Sequence, residues 1–129
     1  GLVGLGAAIA WLKQRGIAAV REHAVALTTR LLEGLRQIPG ATVVGPATAA
    51  ERVGVVSFTL AGYDPQEASA VLATSFGVQT RAGLHCAPLM HKALGTDIGG
   101  GTIRLSVGPF NTTDDVDAAL AALVEMTST

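Results

Sequence analysis

The sequence predicts an α+β domain, a small and mainly antiparallel sheet with helices packed on one face. Three observations carry that reading. Ile17, Val20, Ala24, Leu27, Leu31 and Leu35 recur at steps of three and four and make one long apolar helical stripe. Val56, Phe58 and Leu60 alternate with Val55, Ser57 and Thr59, the period-two pattern of a strand with one face packed and the other half polar. The order helix, strand, strand, helix, strand, short helix, strand, helix then places strands in adjacent pairs with helices between them.

The elements follow in order. Leu5, Ile9 and Leu12 step at helical spacing, and Gly16 interrupts just after the basic Lys13 and Arg15, as at a helix C-terminus. The apolar run GLVGLGAAIA is too short for the roughly 20 residues of a membrane span. A signal peptide would carry its positive charge before the apolar run. With no initiator methionine, the chain reads as beginning inside a longer protein, with this segment entering a buried helix. The second helix, which carries the long stripe, ends at Pro39-Gly40. His23 sits on or beside that stripe and reads as a packed or solvated histidine. Ala41 to Val44 is a short strand closed by Gly45-Pro46, Thr48 to Arg52 a polar connection, and Val53 to Leu60 the clearest strand.

Asp64 is a good N-cap, Pro65 suits the first helical position and Glu67 stands where a capping box needs it. Ala68, Val71, Leu72 and Phe76 form the buried face of that helix, and Gly77 ends it. Val78 to Arg81 reads as a strand leading into Arg81-Ala82-Gly83-Leu84-His85-Cys86-Ala87-Pro88. Pro88 to Leu94 is a short helix, Thr96 to Gly101 a glycine-rich loop, and Thr102 to Val107 a strand with Ile103, Leu105 and Val107 on one side and Arg104 and Ser106 on the other. Thr112 and Asp115 open the last helix, with Val116, Leu120, Leu123 and Val124 on its apolar side.

Composition narrows the function. A net charge of −1, no basic run and 4% aromatic residues give little support to nucleic-acid binding. One cysteine excludes an internal disulfide and fits a reducing cytoplasm. Only 15% of residues are charged and the mean hydropathy is +0.44, consistent with an apolar surface that meets another domain or subunit.

The chemistry concentrates in residues 81–88. A guanidinium, an imidazole and the single thiol in one short turn can bind an anion and tune a nucleophile; a lone thiol can equally be an inert, buried small hydrophobe. Arg104, on the non-core face of its strand, can present a fixed fork to a carboxylate or be a solvated surface arginine. The turn and the Arg104 strand could line one edge of the sheet together. A metal site from His85, Cys86 and His91 lacks any recognised ligand spacing.

The stretches GLVGLGAAIAWL, IPGATVVGP, RVGVVSFTL, FGVQTRAGLHCAPLM, GTIRLSV and FNTTDDVDAAL span nearly the whole chain. In that order, the chain resembles the C-terminal small domain of class V aminotransferase-fold enzymes, the fold-type I PLP-dependent transferases, of the cysteine desulfurase and selenocysteine lyase type. Close desulfurase relatives usually carry a second histidine where Leu84 stands. The resemblance implies that Cys86 is the nucleophile that takes sulfur from L-cysteine as a persulfide and releases alanine. It also implies that Arg104 pairs with the substrate α-carboxylate and that Arg81 lies at the active-site mouth, with His85 assigned proximity only. Nearby Arg81 and, if protonated, His85 would favour the thiolate that such an attack requires. The cofactor implied is pyridoxal 5′-phosphate (PLP), held as a Schiff base by a lysine of a large domain. Lys92 follows Cys86 on the small domain, and Lys13 is the only other lysine, so residues 1–129 alone should lack the cofactor pocket and be inactive. A homodimer, a sulfur-acceptor protein and a place in iron–sulfur cluster assembly are further implications. A class V aminotransferase, another amino-acid lyase and a non-catalytic α+β binding module remain alternatives.

Overall fold

A computed structural model describes residues 1–128 of the 129-residue chain. Its elements are α1 (Leu2–Arg15), α2 (Ile17–Gln37), β1 (Ala41–Val44), β2 (Val55–Leu60), α3 (Pro65–Phe76), β3 (Arg81–Gly83), α4 (Pro88–Leu94), β4 (Thr102–Ser106) and α5 (Thr113–Thr127). The sheet order is β1-β2-β4-β3 with every neighbouring pair antiparallel, so β4 inserts between β2 and β3. The α+β expectation is met.

The core lies between the sheet and α2, α3 and α5. Leu27, Leu31, Leu32 and Leu35 of α2 meet Val56, Phe58 and Leu60 of β2, Ile103 and Leu105 of β4, Leu72 of α3, and Val116 and Leu123 of α5. Register explains why one face is apolar. Phe58 lies opposite Ile103 and Val56 opposite Leu105, so these side chains share a face. The intervening pairs, Ser57 with Arg104 and Arg104 with Arg81, point to the other face.

Local chemistry sets the helix ends. The Asp64 carboxylate accepts from the backbone N–H of Gln66 at 2.9 Å and of Glu67 at 3.1 Å, with Pro65 in the first turn. Glu67 contributes only its backbone there. The full capping box forms instead at α5. Thr112 accepts from the Asp115 N–H at 3.3 Å while the Asp115 carboxylate accepts from the Thr112 N–H at 2.9 Å.

The structure corrects several expectations. None of the residues of α1 is buried, because α2 is the one element it packs against appreciably. The long stripe of α2 is buried only from Leu27 onward, and Ile17 is exposed. Val71 and Val124 lie at the margins of their apolar faces and are exposed. The polar connection contains a short 3₁₀ turn, Ala49–Glu51, and β2 begins at Val55, where the ladder to β4 begins. Strand β3 covers Arg81–Gly83 rather than Val78 to Arg81. After the left-handed Gly77, the Val78 N–H donates to the Leu72 carbonyl at 2.9 Å, so this segment finishes α3 before any strand can start.

The glycine-rich loop brings two backbones together. At Gly101, with φ of 100°, a side-chain carbon would lie 2.2 Å from the Gly83 carbonyl oxygen. Only glycine permits that approach, which seats the loop before β4 against the end of β3.

Candidate functional site

Strands β3 and β4 bring the sequence-predicted residues to one corner of the sheet. Arg81 and Arg104 are direct cross-strand partners and therefore project from the same face, opposite Ile103 and Leu105. Two cations directly opposite each other destabilise a strand pair. Neither has a carboxylate partner among the described residues. Arg81 is exposed and Arg104 half-buried, and the Arg104 Nε is buried without a hydrogen-bond partner. An unpaired buried guanidinium N–H carries a desolvation cost of about 1–3 kcal/mol, and the rest of this half-buried guanidinium has no carboxylate partner among the described residues. Of the two readings open in the sequence, this favours a waiting carboxylate fork over a solvated surface arginine.

Thr102, which sequence reasoning passed over, belongs to this corner. Alternation along β4 puts it on the Arg104 face, and it is buried there. Its carbonyl and its hydroxyl both lie 3.1 Å from His85 Nε2. A carbonyl can only accept, so Nε2 carries the proton in that bond. The alternation was the available signal; what hid Thr102 was that its partner comes from a turn outside the strand.

His85 and Cys86 are the two non-glycine residues with positive φ among the described residues, at 50° and 59°. The left-handed region costs an ordinary residue about 1–2 kcal/mol. Two consecutive residues held there make a stiff, locally unfavourable turn of the kind that clusters at functional sites. The turn is closed by the Ala87 N–H donating to the Leu84 carbonyl at 2.8 Å. It presents Cys86 free and exposed, which excludes the inert, buried thiol.

The His85 ring titrates below the ordinary histidine value of 6.5. Burial is the largest cause and the Arg104 charge the next; the Thr102 hydrogen bond pulls the other way, and His91 and Arg81 add smaller downward pushes. The shift disfavours the charged imidazolium, so near neutral pH the ring adds little positive charge beside the neighbouring thiol. Between its folded value and about 6.5, the unfolded chain binds the proton more readily. Stability contributed by the neutral ring is thus present above 6.5 and is lost as the pH falls below it. In an NMR titration His85 should give a midpoint under 6.5, and Arg104→Gln should move it upward; a midpoint at or above 6.5 would contradict this picture.

The remaining histidines and lysines separate clearly. His23 is half-buried, with Nε2 2.8 Å from the Asn111 carbonyl, and is a packed residue far from the corner in sequence. The ring of His91 stands 5.7 Å from that of His85, centroid to centroid. Among the described residues no group of three or more histidine, cysteine or acidic side chains is placed to hold a metal ion. Lys13 on α1 and Lys92 on α4 are both exposed, so neither is set in a pocket that could hold PLP. A cleft of about 340 Å³ lies elsewhere, between α3, α5 and the end of β4, and is lined by none of Arg81, His85, Cys86 or Arg104. No helix of the described residues is long and apolar enough to cross a membrane.

Comparison with known proteins gives a consistent result. The family model described as aminotransferase class-V matches residues 1–119. A cysteine desulfurase of Klebsiella pneumoniae (strain 342) is 34% identical over 124 residues, which are 95% of this chain and 29% of that protein. A probable cysteine desulfurase of Mycobacterium leprae is 36% identical over 115 residues, 89% of this chain and 18% of that one. Among solved structures, the apo cysteine desulfurase of Thermococcus onnurineus NA1 superposes with a TM-score of 0.92 at 30% identity, covering 99% of this chain and 31% of its own. An alanine–glyoxylate aminotransferase from Nostoc, at 19% identity and a TM-score of 0.71, shares the fold. The chain spans less than a third of the length of each of these proteins.

Proposed function

The chain belongs to the aminotransferase class-V family, and from that premise we propose that residues 1–129 are the C-terminal small domain of a PLP-dependent cysteine desulfurase. The single observation that carries the proposal is the corner of the sheet where an exposed thiol on a left-handed turn stands beside β3 and β4, which carry two carboxylate-free arginines.

Each residue has a task that its surroundings support. Arg104, half-buried with an unpaired Nε–H, receives the α-carboxylate of the amino acid. Arg81, exposed on the same face, lies at the mouth and draws the anionic substrate in. Cys86 attacks the substrate sulfur as the thiolate. A sulfur–sulfur bond forms, the carbon–sulfur bond breaks, and L-cysteine plus the thiol become L-alanine plus a Cys86 persulfide. His85 holds the turn through Thr102 and, with its charged form disfavoured, leaves the charge of the pocket chiefly to the arginines.

The residues of this chain do not build a PLP site, since both lysines are exposed. They fit the amino-acid end of a substrate, and the cofactor lysine belongs to a large domain outside residues 1–129. When bound there, PLP supplies an electron sink for cleavage of the carbon–sulfur bond. The persulfide sulfur passes to an acceptor protein, with iron–sulfur cluster assembly as one use, and the full-length enzyme works as a homodimer in the cytoplasm.

The test is made on the full-length protein. Purified with PLP, it should convert L-cysteine to L-alanine and, with a reductant, release equimolar sulfide, whereas residues 1–129 alone should do neither. Formation of a keto acid without sulfide would favour the aminotransferase alternative. No turnover of any amino acid in a PLP-loaded protein would leave the binding module standing.

A further inference from the structure

We infer that His91 is a positioning residue for Cys86, its ring backing the His85 ring so that the left-handed turn keeps one conformation. Its consequence for turnover rests on the reading of Cys86 as nucleophile; its consequence for the turn does not.

The argument starts from α4. This helix follows Cys86 after a single residue and has only seven residues, with no side-chain cap at its start. Leu89, Met90 and Leu94 are exposed, and so is Lys92. His91 is the one buried residue of α4, and the one buried ionisable side chain among the described residues. A helix this short does not hold itself together and takes its order from what it packs against. For α4 that anchor is His91.

The anchor has two ends. His91 Nδ1 lies 2.7 Å from the Thr96 hydroxyl, which ties α4 to the loop leading into β4. The His91 ring meets the His85 ring at 5.7 Å and an interplanar angle of 45°. His85 in turn reaches Thr102 through Nε2. The turn carrying Cys86 is therefore held from both sides, by Thr102 of β4 through His85 and by Thr96 through His91. Two consecutive left-handed residues would relax toward ordinary backbone once the His91 ring no longer backs the His85 ring.

The experiment uses the full-length, PLP-loaded protein and three variants. His91→Ala removes the ring contact with His85 and the Nδ1 contact with Thr96, while the Thr96 N–H still donates to the carbonyl of residue 91 at 2.9 Å. His91→Phe keeps a ring against His85 and loses the Thr96 contact, and His91→Asn does the reverse. For His91→Ala, amide hydrogen exchange across residues 84–90 should accelerate while peptides from α2 and β2 stay unchanged. Its kcat for L-cysteine should fall about tenfold with KM within about twofold, the pattern of a misplaced reacting group beside an intact carboxylate site. His91→Phe should restore most of both losses and His91→Asn neither. Wild-type kcat and wild-type exchange in His91→Ala, exchange that accelerates throughout the protein, or rescue by His91→Asn in place of His91→Phe would each overturn the inference. Should His91→Ala fail to fold, the order of the other two variants decides alone. Local exchange that accelerates as expected in an enzyme whose turnover survives Cys86→Ser would remove the catalytic reading of Cys86 and leave the turn-holding role of His91 in place.

Discussion

Replacing Cys86 with serine in the full-length protein is expected to abolish sulfur transfer while leaving the fold and the binding of PLP and L-cysteine intact. Cys86 is exposed and outside the core, so the substitution removes no packing. The left-handed backbone at position 86 is as accessible to serine as to cysteine. On the proposed reading, Arg104 remains to receive the carboxylate. What disappears is a soft sulfur nucleophile, which a hydroxyl cannot replace. Turnover of L-cysteine should drop by roughly 10³-fold or more, the scale on which catalytic nucleophiles are missed. Mass spectrometry after substrate addition should show a gain of one sulfur on residue 86 in the wild type and none in the variant. Undiminished turnover in a folded Cys86→Ser protein would remove this residue from the mechanism.

Replacing Arg104 with alanine should act on binding. A charge-assisted hydrogen-bond pair to a carboxylate contributes about 1.5–3 kcal/mol, so kcat/KM for L-cysteine should fall by roughly ten- to 150-fold. Because the carboxylate is held before and during the reaction, much of that loss should appear as a raised KM. The variant should not be destabilised. Its Nε has no partner to lose, and removing Arg104 relieves its confrontation with Arg81 across β3 and β4. A solvated surface arginine would leave KM and kcat/KM unchanged, so the two readings separate in one kinetic experiment. Retention of Tm, or a small rise, alongside the raised KM would set Arg104 apart from residues whose loss acts through unfolding.

How much of this was legible in the sequence depends on whether the signal was local. The stripe of α2 from Leu27 to Leu35 and the alternation of β2 are periodic, and both were read correctly because a periodic pattern records which face is buried. The Thr112–Asp115 capping box and the Asp64 cap were legible because capping is completed within four residues. Arg104 was placed on the non-core face by the same alternation. Misplaced elements had non-local causes. β3 begins three residues later than the residue pattern predicts because Val78, a good strand former, is claimed by the Leu72 carbonyl. The apolar residues of α1 promised a buried helix, but burial depends on a neighbour and α1 meets little beyond α2. The pairing of His85 with Thr102 and His91 joins residues across a turn, a helix and a loop, and no spacing rule announces it.

The left-handed pair at His85 and Cys86 has a consequence for how this domain responds to engineering. A glycine at position 85 would adopt the same backbone without the left-handed penalty of about 1–2 kcal/mol. It would also leave the buried Thr102 hydroxyl without the imidazole that meets it and His91 without its ring neighbour, a loss of the same size or larger. The strain is thus offset inside the domain, and a library screened only for Tm should keep histidine at this position.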